Sequence, residues 1–171
     1  ASRTKILEYL ADVQGMYVPS FYEECDGESA KETGYPVRPV NDHAKQVIEK
    51  RVWEGFADSS AWEPCVVPYA ELVHDRLSVE ILRGCARGCR FCQAGMTYRP
   101  VRERSADNIV ASALEGLKKT GYDEVSLTSL STTDHSQIRE ILTRLNKALD
   151  GTGTRVSIPS QRLDAFGVGM A

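Results

Sequence analysis

Between residues 77 and 160 the chain switches back and forth between a two-residue and a 3.6-residue hydrophobic period, and few folds are compatible with that alternation. Residues 77–82 alternate as a strand. Ile109, Val110, Ala113, Leu114 and Leu117 then recur at helical spacing, with Ser105 placed as an N-cap and Gly121 as a stop. Residues 124–130 read as a second strand, 134–149 as a helix with an apolar stripe of Ile138, Ile141, Leu142, Leu145 and Leu149, and 155–160 as a third strand. Asp134 is placed to cap that second helix, with His135 exposed beside it. The β-α-β-α-β order predicts an α/β fold whose parallel strands are joined by right-handed crossovers. Val125, Leu127, Val156 and Ile158 should face the helices, leaving Ser126, Thr128 and Ser157 on the other face. An ordinary parallel sheet is apolar on both faces, so a polar face suits a curved, open barrel around a cavity; serines satisfied by local backbone are the alternative.

The loop after the first strand carries the chemistry. Cys85, Cys89 and Cys92 stand in Cys-Ala-Arg-Gly-Cys-Arg-Phe-Cys, a C-x3-C-x2-C spacing that predicts a bound iron–sulfur cluster. Three thiolates would leave one iron of a 4Fe-4S cluster without a protein ligand and open to a small molecule. A structural zinc site fits less well, because His43, His74 and His135 are not paired at ligand spacing. A disulfide framework is poorer still, with an odd cysteine count and no secretory signal. Cys25 and Cys65 read as ordinary thiols, and all five suit a reducing, cytoplasmic compartment. A cluster held by three thiolates carries a charge of about −1, or about −2 when reduced, so nearby cations raise its potential. Arg83, Arg87 and Arg90 are placed to do so, whereas Arg99, Arg102 and Arg104 read either as a solvated basic rim or as a surface for an anion.

At these residues the chain resembles the radical S-adenosylmethionine enzymes, whose signature is this cysteine spacing with an aromatic before the third cysteine, here Phe91. The likeness is strongest over residues 68–104. It is closest to a group of uncharacterised radical enzymes with a cobalamin-binding-like region upstream. The resemblance implies a 4Fe-4S cluster on Cys85, Cys89 and Cys92, S-adenosylmethionine as cosubstrate, and an electron donor such as flavodoxin or ferredoxin. It implies that Phe91 packs beside the adenine. The family's Gly-Gly-Glu-like segment would fall on residues 128–134, which here lack its glycines, so only polar contacts from Ser129, Ser131 or Thr132 are expected there, together with Arg162 after the third strand. Cobalamin is expected only through a region absent from this chain. Related barrels continue with further βα units, so the chain is expected to be a fragment whose open edge at Val156 and Ile158 favours a homo-oligomer. A non-enzymatic electron relay on the same cysteines is the competing reading.

With 171 residues, 42% of them hydrophobic, the chain can bury a core, and no apolar run approaches membrane-spanning length. A net charge of −3 argues against a general nucleic-acid binder, although the locally basic loop leaves nucleic acid open as a substrate. Residues 65–171 are taken as the N-terminal half of the barrel and 1–64 as an irregular extension. The extension is expected to hold a helix over 4–13 with Ile6, Leu7 and Leu10 on one face, extended chain at 17–22 and 35–40, and a polar loop at 23–34. Residues 41–52 are ambiguous between helix and strand, and Tyr17, Phe21, Tyr22, Trp53 and Trp62 are the expected packing anchors.

Overall fold

The computed structural model describes residues 2–59, 66–70, 72–162 and 164–165. The chain divides into two compact units, residues 1–53 and 54–171.

The first unit opens with helix α1 (Arg3–Asp12), capped by the Ser2 hydroxyl. Leu7, Leu10 and Ala11 pack against Val18, Phe21, Tyr22 and Ala44 in a small core, whereas Ile6 is turned out and half exposed. Strands β1 (Tyr22–Glu24) and β2 (Val37–Pro39) pair antiparallel, with Glu23 opposite Arg38. The segment expected to be a loop instead holds helix α2 (Gly27–Thr33). Asp26 caps its first turn through Ser29 N–H at 2.7 Å, and Gly34, at φ 74°, ends it. Composition hid it, since none of its residues is buried. Residues 41–52 resolve into turns and irregular chain, with Asn41 accepting from the His43 backbone N–H at 2.9 Å. Of the expected anchors, Phe21 is buried and Tyr17 tilts against Tyr22 at 4.7 Å between ring centres, but Trp53 is mostly exposed and Trp62 lies outside the described residues; so does the thiol Cys65.

The second unit is a mixed α/β fold built on a parallel three-stranded sheet in the order β3 (Leu77–Glu80), β6 (Glu124–Thr128), β7 (Arg155–Ser157). These strands form an open sheet, not a closed barrel. Helices α4 (Ala106–Thr120) and α5 (Ile138–Leu149) cover one face. Val79, Ile81, Val125, Leu127, Ile109, Ile141 and Leu145 are each 1% exposed or less and form one apolar cluster with Ala113 and Ile138. Burying such side chains supplies about 1.5–3 kcal/mol each. Val156 and Ile158 pack on the cluster while half-buried. The sheet's other face is polar as expected: Ser78, Ser126 and Ser157 lie side by side in register. Ser126 is fully buried, and its hydroxyl has no hydrogen-bond partner among the described residues.

Both ends of α4 follow the sequence signals: the Ser105 hydroxyl accepts from Asn108 N–H at 3.2 Å, and Gly121 adopts φ 74°. Helix α5 does not. Residues 132–134 form a separate 3-10 turn and α5 begins four residues after Asp134, because the Asp134 carboxylate is engaged elsewhere. His135, expected to be exposed, is 2% exposed. Its Nδ1 accepts from the Gln137 N–H at 3.0 Å, so its Nε2 carries the proton and donates to the Arg104 carbonyl at 2.9 Å. The Gln137 side-chain oxygen accepts from Ala106 N–H at 3.1 Å, and Ser136 N–H donates to Glu103 at 3.0 Å. Three consecutive residues thereby clasp the stretch 103–106 that leads into α4.

The first strand also differs from expectation. It is cut at Ile81, whose N–H still reaches the Thr128 carbonyl at 3.0 Å; β4 (Leu82–Arg83) then leaves the sheet to pair antiparallel with β5 (Arg102–Glu103). Among the described residues no helix is long and apolar enough to cross a membrane.

Candidate metal centre

The departure of β4 builds the site. With Leu82 opposite Glu103 and Arg83 opposite Arg102, residues 84–101 become a closed loop standing at the C-terminal end of β3, where parallel α/β sheets place their ligands. The first residue beyond the ladder, Gly84, has φ 87°, and a Cβ there would lie 2.7 Å from both the Tyr98 and Pro100 carbonyl oxygens. Only glycine lets the two sides of the loop approach so closely.

Cys85, Cys89 and Cys92 are free, partly exposed thiols on this loop. Cys92 N–H donates to the Cys89 carbonyl at 3.0 Å, closing a tight turn, and Cys92 then caps the short helix α3 (Gln93–Thr97), its sulfur accepting from Gly95 N–H at 3.4 Å. The Cys85 sulfur accepts from Arg87 N–H at 3.4 Å. Gly95 marks the place where the loop's two ends meet: a Cβ there would sit 3.7 Å from the Cys92 sulfur and 3.9 Å from the Cys85 Cβ. Among the described residues, no three His, Cys, Asp or Glu side chains form a group that could hold a metal ion. An iron–sulfur cluster takes each thiolate on a different iron. Three free thiols on one loop, two already accepting amide hydrogens, suit that chemistry.

The arginines are more committed than their spacing suggests. Arg83 grips Glu80 through two contacts of 2.9 and 2.5 Å and lies over the Phe56 ring at 4.6 Å. Arg87 makes a two-point pair with Asp134 at 2.9 and 2.5 Å. Hydrogen bonds within these pairs hold both guanidinium pKa values above the ordinary arginine value. Arg99 folds onto the loop backbone, donating to the carbonyls of Cys85 at 3.4 Å and Arg87 at 3.3 Å. Arg102 donates to the Pro100 carbonyl at 3.2 Å. Arg104 is not part of a solvated rim: it is 3% exposed and donates to the backbone oxygens of Glu80 and Ser59, and burial pushes its pKa down.

The polar turn after β6 lies beside the loop. Ser129 and Thr132 hydroxyls meet at 2.9 Å, Ser131 N–H donates to the Ser129 oxygen at 3.2 Å, and the Ser131 hydroxyl donates to Asp134 at 2.8 Å. Thr132 is fully buried, with its hydroxyl also on the Leu127 carbonyl at 3.3 Å, so Ser131 and Thr132 spend their polar groups on the turn itself. Ser129, whose hydroxyl is engaged in the same turn, borders a recess of about 560 Å³ between Glu80, Arg83 and Gly84 on one side and Thr128 and Leu130 on the other, and Ser131 borders a smaller one of about 240 Å³ with Cys85, Arg87 and Asp134. Arg162 pairs with Asp164 at 2.7 Å, its N–H reaches the Thr133 hydroxyl at 3.4 Å, and its buried Nε has no partner among the described residues. Phe91 is 92% exposed on the loop.

Two acidic residues of the site escaped the sequence reading. Glu80 carried a local signal, three residues from Arg83; Asp134 carried none, since 47 positions separate it from Arg87.

The comparisons with known proteins agree with this geometry. The family model of the radical SAM superfamily matches residues 79–167, which take in the end of β3, the cysteine loop, both covering helices and β7. An uncharacterized protein of Methanocaldococcus jannaschii is 38% identical over 88 residues, a stretch that covers 52% of this chain and 19% of that relative. With more than half of its residues matched by the family model, including all three loop cysteines, the chain belongs to the radical SAM superfamily.

Proposed function

We propose that this chain is the cluster-bearing part of a radical S-adenosylmethionine enzyme, with Cys85, Cys89 and Cys92 as the thiolate ligands of a 4Fe-4S cluster. The observation that carries the reading is the closed loop between β4 and β5, which bears three free thiols and is matched by the family model. When bound, the cluster supplies one electron to S-adenosylmethionine, whose carbon–sulfur bond is cleaved to methionine and a 5′-deoxyadenosyl radical. The chain's own groups prepare for this. Arg87 N–H and Gly95 N–H stabilise negative charge on the Cys85 and Cys92 sulfurs, which favours the reduced state. The recess beside Glu80, Thr128 and Ser129 offers hydrogen-bonding groups to a polar cosubstrate, and of the turn's hydroxyls Ser129 is the one that borders it. Phe91 offers an aromatic face from the loop itself. Ser131, which borders a second recess with Cys85, and Thr132 and Arg162 are the further polar groups proposed to contact the cosubstrate. A cluster with one open iron is sensitive to oxygen, which suits a cytoplasmic protein reduced by a flavodoxin or ferredoxin.

Anaerobic reconstitution with iron and sulfide tests the reading. The wild type should take up a cluster whose spectrum shifts when S-adenosylmethionine is added. Cys85→Ala, Cys89→Ala and Cys92→Ala should each lose it, while Cys25→Ala and Cys65→Ala keep it. Equal loss of iron in all five variants would reject the ligand assignment, and a cluster indifferent to S-adenosylmethionine would favour the electron-relay reading.

A further inference from the structure

Arg87 stands between the first two cysteines of the loop, and three of its polar groups are held at once. Its guanidinium meets Asp134 at two points, 2.9 and 2.5 Å; its N–H donates to the Cys85 sulfur at 3.4 Å; its carbonyl accepts from Arg99 at 3.3 Å. The anchor is the carboxylate, because the Asp134 side chain is 18% exposed against 45% for Arg87 and is itself fixed by the Ser131 hydroxyl at 2.8 Å. Asp134 belongs to the turn after β6, so the contact ties the loop's first turn to a different strand of the sheet. The Cys85 sulfur lies within electrostatic reach of the Arg87 guanidinium.

We infer that Asp134 is a positioning residue for the cluster loop, which holds Arg87 in place and cancels its charge beside the Cys85 thiolate. The inference rests on the proposed cluster. Its consequence is a potential set by a neutral pair instead of by a bare cation. Removing the carboxylate leaves an uncompensated positive charge, which stabilises the more negative, reduced cluster. Removing the guanidinium leaves an uncompensated negative charge, which destabilises it. The two changes must therefore move the midpoint potential in opposite directions, an outcome that loss of a merely structural contact would not produce.

The test is a redox titration, followed by electron paramagnetic resonance, of the anaerobically reconstituted chain as wild type, Asp134→Asn, Arg87→Gln and the double variant. The expected result is an upward shift for Asp134→Asn, a downward shift for Arg87→Gln and a double variant between the two. A wild type that binds no cluster overturns the proposed function and this inference with it. A wild type with a cluster, and single variants that shift together or not at all, overturns the inference alone. A second measurement needs no cluster: in the metal-free chain, alkylation of Cys85 followed by peptide mass spectrometry should run several-fold faster in Asp134→Asn while Cys25 is unchanged, because the freed loop exposes a thiol next to a bare cation. Unaltered Cys85 alkylation would reject the positioning role.

Discussion

The core beneath α4 and α5 and the cysteine loop above it are ordered by different physics. Beneath the helices, Ile109, Val125, Leu127, Ile141 and Leu145 have no exposed surface and are held by close packing. On the loop, Phe91 and Tyr98 point outward, and order comes from a two-residue ladder, one close backbone approach at Gly84 and ion pairs to Glu80 and Asp134. The core is thus sensitive to volume and the loop to charge and backbone conformation. A change in either should leave a signature of its own kind.

The largest expected effect is in the core. Leu145→Ala removes a fully buried side chain with partners on every side, and should destabilise the second unit by about 2–5 kcal/mol, read as a lower urea midpoint by circular dichroism. If the loop were independent of the core, iron uptake would survive that loss; the strand that feeds it makes such survival unexpected.

Gly84→Ala should act the other way round. Its φ of 87° and the 2.7 Å approach of two carbonyl oxygens force the β4–β5 base apart, at a cost of about 1–3 kcal/mol. Iron incorporation should fall steeply while the helical signal of α4 and α5 stays near wild type. Equal losses of helix and iron would mean that loop and core are one cooperative structure.

The smallest effect comes from pH. Asp134 is held below the ordinary carboxylate range, chiefly by the hydrogen bonds from Arg87 and then by Ser131 against the opposing effect of burial. Because its folded value is depressed, its contribution is fully present above the unfolded carboxylate value and is lost only as pH falls through the lower folded one. A carbon-13 titration of the Asp134 carboxyl should find that depressed value, and Arg87→Gln should raise it toward normal. A carboxyl that titrates normally in the wild type would remove the ion pair from the account of the loop.

How much of this could be read beforehand follows from how local each signal is. Helix α4 was legible because its cap, stripe and stop all lie within the segment itself, at Ser105, Ile109 to Leu117 and Gly121. The parallel sheet followed from the spacing of its strands, and membership of the family from three cysteines within eight residues. The break at Ile81 did not, since it depends on pairing with Arg102 and Glu103 some twenty positions on. Nor did the late start of α5: Asp134 is a good N-cap by residue type, but a tertiary partner took its carboxylate and the helix began without it. Short polar elements such as α2 leave no hydrophobic period, and only their capping residues, Asp26 and Gly34, announce them.

The clasp of His135, Ser136 and Gln137 on residues 103–106 imposes an order on assembly. A polypeptide emerging from the ribosome exposes the cysteines, then β5 and the start of α4, more than thirty residues before the groups that latch them. Until Gln137 is out, the first amide of α4 lacks its acceptor and β5 lacks its lock. The cysteine loop is therefore made early and locked late: its thiols emerge on a flexible segment well before the base of the loop is fixed.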